Sequence, residues 1–343
     1  MQSMLTTTPP ALSAFETEVI AADHFQIHAR AHLLVSERDQ NFRLEADDGR
    51  RFVIKFSNSA ERLEVIDFQN QALLHVAARD PALPLPRVIP GMDGQLHYRV
   101  RHAGETHFVR VLSWLEGIEL ESVASNTDMA AKMGRMLARL GKALQGFEHP
   151  GSNPLSLWDM KQATTLRDLL VYIEDVDLKL LMEQTLDRFD ARVMPFMSKL
   201  RSQVIHSDMH PGNVLVNREQ PDHISGIIDF GDMVKSPLIF DLGIACAYQL
   251  AAGEDPLKGA LPMIAAYHQV RPLESLEVSL LGDLIRTRLI TSLLIGSYRV
   301  RLFPENREYL MVSYESAKTF LSNLQKQDSN TETARIHNAC FPA

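Results

Sequence analysis

The 343-residue sequence has little cysteine, no excess of basic residues and no long apolar run. Its two cysteines, Cys246 and Cys340, exclude the disulfide framework that stabilises small secreted domains. Lys and Arg total 35 against 43 Asp and Glu, which gives a formal net charge of -8. That balance excludes a general binder of nucleic acids or anionic membranes, because such partners require a basic surface. The expected partner is a small molecule.

The sequence also lacks the segments that would direct it to a membrane or out of the cell. Its best apolar candidate, residues 289–298, is far shorter than the roughly 20 residues of a spanning helix. The N-terminus shows no basic segment followed by an apolar run of signal-peptide length. The sequence therefore predicts a cytoplasmic protein that binds neither nucleic acid nor membrane, and it leaves the oligomeric state open.

Apolar alternation in the first third of the chain predicts a small antiparallel sheet. An Asp-Gly turn at residues 48–49 between two alternating runs is typical of a β-hairpin. Helical spacing predicts one main helix at residues 61–79, ended by the prolines that follow it. The strands are predicted at residues 27–35, 41–46, 52–56, 96–100 and 107–114.

Helical patterns dominate from residue 127 onward, with long helices predicted at residues 129–147 and 178–197. The fold class is therefore predicted as α+β and bilobal, with a small antiparallel sheet lobe carrying one main helix and a larger, mostly helical lobe. The predicted parts are a flexible tail 1–14, an N-terminal nucleotide-binding lobe 15–112, a hinge 113–118, a C-terminal catalytic and substrate lobe 119–326, and a C-terminal tail 327–343.

One compact segment interrupts these helices and carries the sharpest motif. His206, Asp208 and Asn213 form the pattern His-x-Asp-x4-Asn in a loop between two short apolar runs. Sixteen residues after Asn213, a further apolar run ends in Asp229-Phe230-Gly231. The two patterns together are similar to the catalytic and metal-binding loops of kinases.

Phosphoryl transfer explains why these residue types are needed. The attacking hydroxyl must be oriented and lose its proton, which predicts Asp208 as the catalytic base. The charge on the phosphate oxygens must be neutralised by a hard cation, which predicts Asn213 and Asp229 as ligands of Mg2+ with ATP or GTP as co-substrate. His206 is expected to brace the loop by hydrogen bonding rather than to transfer protons.

A lone lysine, Lys55, lies in the predicted strand 52–56 and is similar to the kinase lysine that binds the α and β phosphates. That lysine ordinarily pairs with a helix glutamate. Three residues of the predicted helix remain open as its partner here: Glu64, Asp67 and Gln69. Gln69 lies at the position expected from related small-molecule kinases.

Two further segments are predicted to contact the nucleotide. The loop that joins the first two strands contains Arg38, Asp39, Gln40 and Asn41 but no glycine. It can form a backbone anion nest over the phosphates or serve only as a polar hairpin turn, and composition does not decide between them. Ser113 and Leu115 lie where the sheet lobe ends, and their backbone is predicted to meet the base.

With these residues in place, the chain resembles the aminoglycoside phosphotransferase and choline kinase superfamily over roughly residues 15–325. The resemblance implies a protein-kinase-like fold that phosphorylates a hydroxyl of a small molecule. Unlike protein kinases, the chain has no long activation segment with Ala-Pro-Glu after Gly231, which disfavours a protein substrate.

Within that superfamily the chain is most similar to the hydroxylysine kinases, which use GTP. Ser207 stands where the superfamily often has glycine between the histidine and the aspartate. The resemblance implies a hydroxylated amino acid or amino alcohol as acceptor. It is carried by residues 39–42, 67–70, 144–150, 224–233 and 302–312.

A zwitterionic acceptor needs an acid for its ammonium group and a cation for its carboxylate. Asp232 and Arg288 are the candidates for these roles. Tyr298, on the same predicted C-terminal helix as Arg288, is a third candidate substrate residue, and both positions resemble the hydroxylysine kinase pattern. Each could equally be a surface or scaffold residue. The alternative functions are a phosphotransferase for aminoglycosides or for choline, ethanolamine or homoserine, and a catalytically silent nucleotide-binding regulator.

Overall fold

The computed structural model divides the chain into two compact units. The first comprises Met1–Gly117, His149–Pro154 and Ser225–Ile228, and the second comprises Ile118–Glu148, Leu155–Ile224 and Asp229–Ala343. The structure describes residues 7, 9–36, 38–123 and 127–342. Glu37 of the loop between the first two strands and residues 1–6 and 8 of the predicted tail lie outside the described residues.

The first unit contains a six-stranded antiparallel sheet, where the sequence predicts an antiparallel sheet of five strands and misses the short strand Val88–Ile89. Its order is β1-β2-β3-β6-β4, and β5 pairs with β6. The strands are β1 (Ala29–Leu34), β2 (Gln40–Ala46), β3 (Arg51–Phe56), β4 (Val88–Ile89), β5 (Tyr98–His102) and β6 (Glu105–Ser113).

Alternation along β3 determines which side chains enter the core. Phe52, Ile54 and Phe56 are buried on one face, whereas Lys55 is half-buried on the other. The register places Lys55 directly opposite Asn41 of β2 and Arg110 of β6. Because directly opposite residues of antiparallel strands project from the same face, Asn41, Lys55 and Arg110 form a polar row across three strands.

The α-helices of the first unit, within the described residues, are α1 (Ala14–Phe25) and α2 (Leu63–Arg79). A capping box between Ser13 and Glu16 begins α1. Before it, the backbone N–H of Leu12 donates to Gln40 Oε1 at 2.8 Å, and Gln40 Nε2 donates to the Leu12 carbonyl at 2.9 Å. The flexible tail predicted for residues 1–14 is therefore too long, because the chain is already held at Leu12.

The second unit is mostly helical, as predicted. The fold class is thereby confirmed. Its helices are α3 (Thr127–Ala143), α4 (Val176–Arg188), α5 (Leu238–Ala247), α6 (Leu257–Val270), α7 (Ser275–Leu302), α8 (Arg307–Leu310), α9 (Tyr314–Gln325) and α10 (Ser329–Cys340), with a 3-10 segment at Met160–Tyr172.

Two predictions in this unit need correction. The helix predicted at residues 178–197 is regular only to Arg188 and continues as a π turn and a 3-10 turn, where Pro195 has no N–H to donate. The predicted tail 327–343 contains α10, which begins at an Asp328 N-cap. A buried ion pair between Glu332 of α10 and Arg286 of α7 explains why this polar segment is ordered.

Short strands position the two loops that carry the motif. The strands are β7 (Ile118–Glu119), β8 (Ser202–Ile205), β9 (Val214–Val216), β10 (Ile224–Ile227) and β11 (Val234–Pro237). β8 pairs with β11, and β7 pairs with β9, both antiparallel. Residues 206–213 thus join β8 to β9, and residues 228–233 join β10 to β11.

No helix in the described part of the chain combines the length and apolar character that crossing a bilayer requires. The cytoplasmic location expected from the sequence stays a prediction.

Candidate active site

The loop after β8 is held in a strained backbone conformation by a buried carboxylate. Ser207 has a φ of 68°, in the left-handed region that residues with a Cβ rarely adopt. Asp241 of α5 accepts the backbone N–H of Ser207 at 2.8 Å and that of His206 at 3.3 Å. Burial raises the pKa of Asp241, although the hydrogen bonds from the two backbone N–H groups lower it. No signal in the sequence indicates this bracing role.

His206 connects this loop to the Asp-Phe-Gly segment. Its Nδ1 accepts the backbone N–H of Asp208 at 3.3 Å. Its ring lies edge-on against Phe230, with centroids 4.8 Å apart. These are the contacts of a brace, as the sequence predicts for His206.

Asp208 is surrounded by donors on both of its carboxylate oxygens. Asn213 Nδ2 donates to Oδ2 at 3.0 Å, and His210 Nε2 lies 3.5 Å from the same oxygen. Arg288 Nη2 donates to Oδ1 at 2.7 Å. Burial favours the neutral acid, but the hydrogen bond of His210 and the charge of Arg288 outweigh it and lower the pKa of Asp208. The carboxylate is therefore ionised at neutral pH, as a general base must be.

Arg288 is fixed between two aromatic rings. Its guanidinium carbon lies 5.0 Å from the Trp158 ring centroid and 5.5 Å from that of Tyr248. Its Nη2 also donates to the Tyr248 hydroxyl at 2.9 Å. Burial opposes the charge of Arg288, but Tyr248 and Asp208 raise its pKa, so the guanidinium stays protonated.

Two donors of Arg288 remain unused. The side chain is only 3% exposed, yet its Nε and Nη1 have no hydrogen-bond partner in the part of the chain that the structure describes. Buried donors without partners are costly to the fold. The sequence predicts Arg288 as a substrate residue, and the structure adds that the same side chain contacts Asp208.

Asp229 lies close enough to Asp208 for its negative charge to raise the pKa of Asp208, which opposes the lowering effects of His210 and Arg288. Asp229 has a φ of 57°, and its Oδ1 accepts the backbone N–H of Gly231 at 3.1 Å. Asn213 uses its Nδ2 for Asp208, which leaves its amide oxygen as the atom suited to a cation.

The oxygen atoms of Asn213 and Asp229 suit a hard cation that takes only a few of its ligands from the protein. Among the described residues, no group of three His, Cys, Asp or Glu side chains is arranged to bind a metal ion. A cation held by Asn213 and Asp229 would therefore take its remaining ligands from phosphate oxygens and water, as Mg2+ commonly does.

The other predicted substrate residues lie in the same unit. Asp232 is half-buried, and its charge contributes to the raised pKa of Arg288. Tyr298 is 9% exposed, and its ring packs against Tyr172 with centroids 5.2 Å apart.

The first unit provides the residues predicted to bind the nucleotide. None of the three suggested partners of Lys55 pairs with it. Glu64 pairs with Arg62 at 3.4 Å, and Asp67 Oδ2 lies 3.1 Å from His149 Nε2. Gln69 accepts a hydrogen bond from Arg110. The lysine–glutamate pair expected of kinases is absent from the described part of this unit.

Arg110 is a residue that sequence reasoning missed. It is 4% exposed, and it donates to Asn70 Oδ1 at 3.0 Å and to Gln69. A single charged residue within the otherwise apolar centre of β6 was the available signal. Arg110 ties α2 to the sheet beside Lys55.

The loop without glycine is fixed by side chains. Ser36 Oγ donates to the Asp39 carbonyl at 2.6 Å, and Asp39 Oδ1 accepts the backbone N–H of Asn58 at 3.1 Å. Asn58 Nδ2 donates to the Arg38 carbonyl at 3.2 Å. The Gln40 side chain is committed to Leu12, so only the backbone of Gln40 remains for a nucleotide.

Three further residues are predicted to contact the nucleotide: Asn41, Ser113 and Leu115. Asn41 Oδ1 is buried without a hydrogen-bond partner among the described residues, beside Lys55. Ser113 ends β6, and its hydroxyl accepts the backbone N–H of Arg87 at 2.8 Å. Leu115 is half-buried in the segment that follows.

A sheet unit, a helical unit and an Asp-Phe-Gly segment close to a His-x-Asp-x4-Asn loop define a protein-kinase-like phosphotransferase that acts on a hydroxyl group. Residues 33–273 match the phosphotransferase enzyme family, and the chain belongs to this family. The resemblance predicted from the sequence is confirmed.

Three similar proteins place the chain within that family. It is 30% identical over 314 residues to a hydroxylysine kinase of Mus musculus, covering 85% of this chain and 83% of that protein. It is 26% identical over 296 residues to a homoserine kinase of Parvibaculum lavamentivorans, covering 84% of both. The solved structure of an amicoumacin kinase with AMP-PNP and Ca2+ has a TM-score of 0.69 at 15% identity, covers 94% of this chain and 97% of that one, and shows the shared fold.

Proposed function

We propose that this protein transfers the γ-phosphate of ATP or GTP to the hydroxyl of a hydroxylated amino acid, with a hydroxylysine-like acceptor favoured. The pairing of Asp208 with Arg288 carries the proposal, since it sets a base for a hydroxyl beside a cation for a carboxylate. The two curated relatives support it, because their names are those of kinases of hydroxylated amino acids.

Asp208 is the proposed catalytic base. The acceptor oxygen forms a bond to the γ-phosphorus while the bond from that phosphorus to the leaving nucleoside diphosphate breaks. The hydroxyl proton passes to Asp208 as the acceptor oxygen loses its lone pair to phosphorus. The lowered pKa of Asp208 supports this role, because it keeps the carboxylate ionised. No phosphorylated enzyme is required.

Two sets of residues are proposed to bind the phosphates. Asn213 and Asp229 would hold Mg2+, which supplies positive charge to the phosphate oxygens when bound. Lys55 would bind the phosphates directly, and Asn41, which lies directly opposite it in the sheet, is proposed to contribute to the same site. The remaining nucleotide contacts are proposed for Arg38, Asp39, Gln40, Gln69, Ser113 and Leu115.

The acceptor is proposed to lie beside Asp208. Arg288, which pairs with Asp208, would bind its carboxylate. Asp232 would bind an ammonium group, and Tyr298 would line the pocket. A desolvated zwitterion is held well only when both of its charges are paired.

A panel of acceptors tests the proposal. Hydroxylysine, homoserine, choline, ethanolamine and kanamycin are each assayed with ATP and with GTP, by coupled release of the nucleoside diphosphate. We expect the highest kcat/KM for an amino acid. A preference for kanamycin or choline would move the assignment to another member of the family, and no transfer to any hydroxyl would refute it.

The variant Asp208→Asn tests the mechanism. Loss of the base is expected to reduce kcat by about 10²- to 10⁴-fold. The affinity for nucleotide should change little, because the phosphates are assigned to Lys55, Asn213 and Asp229. Isothermal titration with a non-hydrolysable nucleotide serves as the control measurement. A near-normal kcat would exclude Asp208 as the base.

A further inference from the structure

The acids of helix α2 are committed to partners other than Lys55. In protein kinases a helix glutamate forms an ion pair with the strand lysine, and this pair sets the position of both. The acids of α2 are Glu64 and Asp67. Glu64 pairs with Arg62 at 3.4 Å. Asp67 Oδ2 lies 3.1 Å from His149 Nε2. The helix is therefore positioned on the sheet by other contacts.

Arg110 of β6 binds two consecutive residues of α2 at once. Its Nη1 donates to Asn70 Oδ1 at 3.0 Å, and its Nη2 donates to Gln69 Oε1. All three side chains are at most 4% exposed. Asn70 extends the attachment, because its Nδ2 donates to the Leu96 carbonyl at 3.2 Å. A planar guanidinium that spans two amide oxygens fixes both the distance and the rotation of the helix relative to the sheet.

A second segment of the same unit holds another face of α2. Nδ1 of His149 accepts the backbone N–H of Gly151 at 3.0 Å, so Nε2 carries the ring hydrogen that faces Asp67. A methyl group at Gly151 would lie 2.1 Å from the carbonyl oxygen of Glu64. Because the segment and the helix are in such close contact, α2 has little room to move away from Arg110.

Lys55 lies beside Arg110 and carries the same charge. The register pairs the two residues directly across β3 and β6, so both project from the sheet face against which α2 packs. Like charges at directly opposite positions repel each other. Burial raises the pKa of Glu61, just before α2, and the charge of Arg110 opposes that rise. Glu61 thus compensates part of the charge of Arg110.

We propose that Arg110 is a positioning residue of the nucleotide site, which holds α2 in place of Lys55 and so reserves the Lys55 ammonium group for the nucleotide phosphates. The inference rests on the proposed function and deepens it. Arg110 is buried between the sheet and α2, and acts without touching the nucleotide. Bound phosphates would also offset the repulsion between the two cations. The contribution of Arg110 is therefore specific to the phosphates and independent of the base and the acceptor.

The first test compares nucleotides with nucleosides. Arg110→Met removes the two hydrogen bonds to α2 and the charge beside Lys55. By isothermal titration, we expect it to bind a non-hydrolysable analogue of ATP or GTP about tenfold more weakly than the wild-type protein does. Its affinity for adenosine or guanosine should stay within about twofold, and so should the KM of the acceptor.

The control for this test is Arg99→Met. Arg99 is an exposed arginine of β5 in the same sheet, and its guanidinium carbon lies 5.7 Å from the Phe108 ring centroid. Its loss removes a charge but no contact with α2, so nucleotide affinity should not change. An equal loss of affinity for nucleoside and nucleotide in Arg110→Met would describe general damage to the site. Either that result or an unchanged affinity for the triphosphate would overturn the proposal.

The second test asks whether Arg110 acts through α2. Gln69→Met removes one acceptor of Arg110 on the helix. The double variant is expected to bind the triphosphate analogue no more weakly than Arg110→Met alone, because the contact is already lost. Additive losses would mean that the two residues act separately, and would overturn the proposal.

A further variant and the wild-type protein complete the tests. If Arg110→Met does not fold, as circular dichroism would show, Arg110→Lys takes its place, since lysine keeps the charge but not the two-pronged contact. Its affinity for the triphosphate analogue is expected to fall about threefold, and an unchanged affinity would overturn the proposal. If the wild-type protein binds the analogue and the arginine variants bind it equally well, the inference fails while the kinase assignment stands. If the wild-type protein binds neither analogue, the proposed function fails as well.

Discussion

Removal of the Asp241 carboxylate is expected to damage the active site from a distance. Asp241 is 2% exposed and accepts the backbone N–H groups of His206 and Ser207. Those hydrogen bonds hold Ser207 at a φ of 68°, directly before Asp208. Asp241→Ala leaves both N–H groups buried without an acceptor, so the loop is expected to relax towards ordinary backbone angles.

The magnitude follows from the two contacts. A buried donor that loses its partner costs about 1–3 kcal/mol. The bond to Ser207 is short at 2.8 Å, whereas the bond to His206 is long at 3.3 Å and contributes less. Relief of a buried carboxylate, whose pKa burial raises, offsets part of the loss. We expect Asp241→Ala to lower the free energy of unfolding by about 2–4 kcal/mol.

The catalytic effect is expected to exceed what stability explains. A shift of Asp208 by about 1 Å would lower kcat about 100-fold. Urea unfolding measures the first effect, and steady-state kinetics well below the melting temperature measures the second. Asp283→Ala is the matched control, because Asp283 is also a buried carboxylate but pairs with Arg188 and Arg192.

The comparison of the two variants decides the argument. Asp283→Ala is expected to lose stability while keeping kcat within about twofold, since its partners lie outside the catalytic loop. Equal loss of kcat in both variants would mean that general destabilisation explains the effect. Normal kcat in Asp241→Ala would mean that the loop keeps its shape without the brace.

Three further predictions concern neighbouring contacts. Burial lowers the pKa of His210, but the hydrogen bond and the charge of Asp208 outweigh burial and raise it. Protonated His210 therefore stabilises the fold fully at a pH below 6.5, the pKa of His210 in the unfolded chain, and this stabilisation is lost as the pH rises through the pKa of His210 in the folded protein. His210→Gln should thus destabilise more at about pH 6 than at about pH 9 in urea unfolding, and an equal loss at both would refute this. Ser207→Gly should raise the free energy of unfolding by about 0.5–1 kcal/mol, and a decrease would show that φ is not strained. Glu332→Gln leaves Arg286 buried and unpaired, and should cost about 3–5 kcal/mol by calorimetry; a loss below about 1 kcal/mol would contradict the role of this pair in holding the last helix.

Local signals in the sequence were sufficient for the fold class and the central motif. Alternating apolar residues predicted the strands around Lys55, and the Asp-Gly turn predicted the hairpin. The roles predicted for Asp208, Asn213 and Asp229 follow from kinase chemistry, which fixes both the residue types and their spacing. These features depend on residues close together in the chain.

The missed features depend on partners that are distant in the chain. Asp241 braces Ser207 from 34 positions away, and Tyr248 reaches Arg288 across 40 positions. No pattern of spacing marks such pairs. Arg110 carried a weak signal, a charge within an apolar strand, but its amide partners on α2 could not be inferred. The polar composition of residues 327–343 predicts a tail, and the buried ion pair of Glu332 with Arg286, which orders helix α10, has no signal in the sequence.

The strained angles of this site bear on its function. Ser207 and Asp229 both have a positive φ although neither is glycine. Ser207 directly precedes the proposed base Asp208, and Asp229 is itself a proposed metal ligand. Such backbone costs about 1 kcal/mol or more at each position and persists only where surrounding contacts impose it. Here Asp241 imposes it on Ser207, and the Gly231 N–H bonds to the side chain of Asp229. Hydrogen bonds within the second unit therefore maintain the unusual backbone angles of Ser207, next to the proposed base, and of Asp229, a proposed metal ligand.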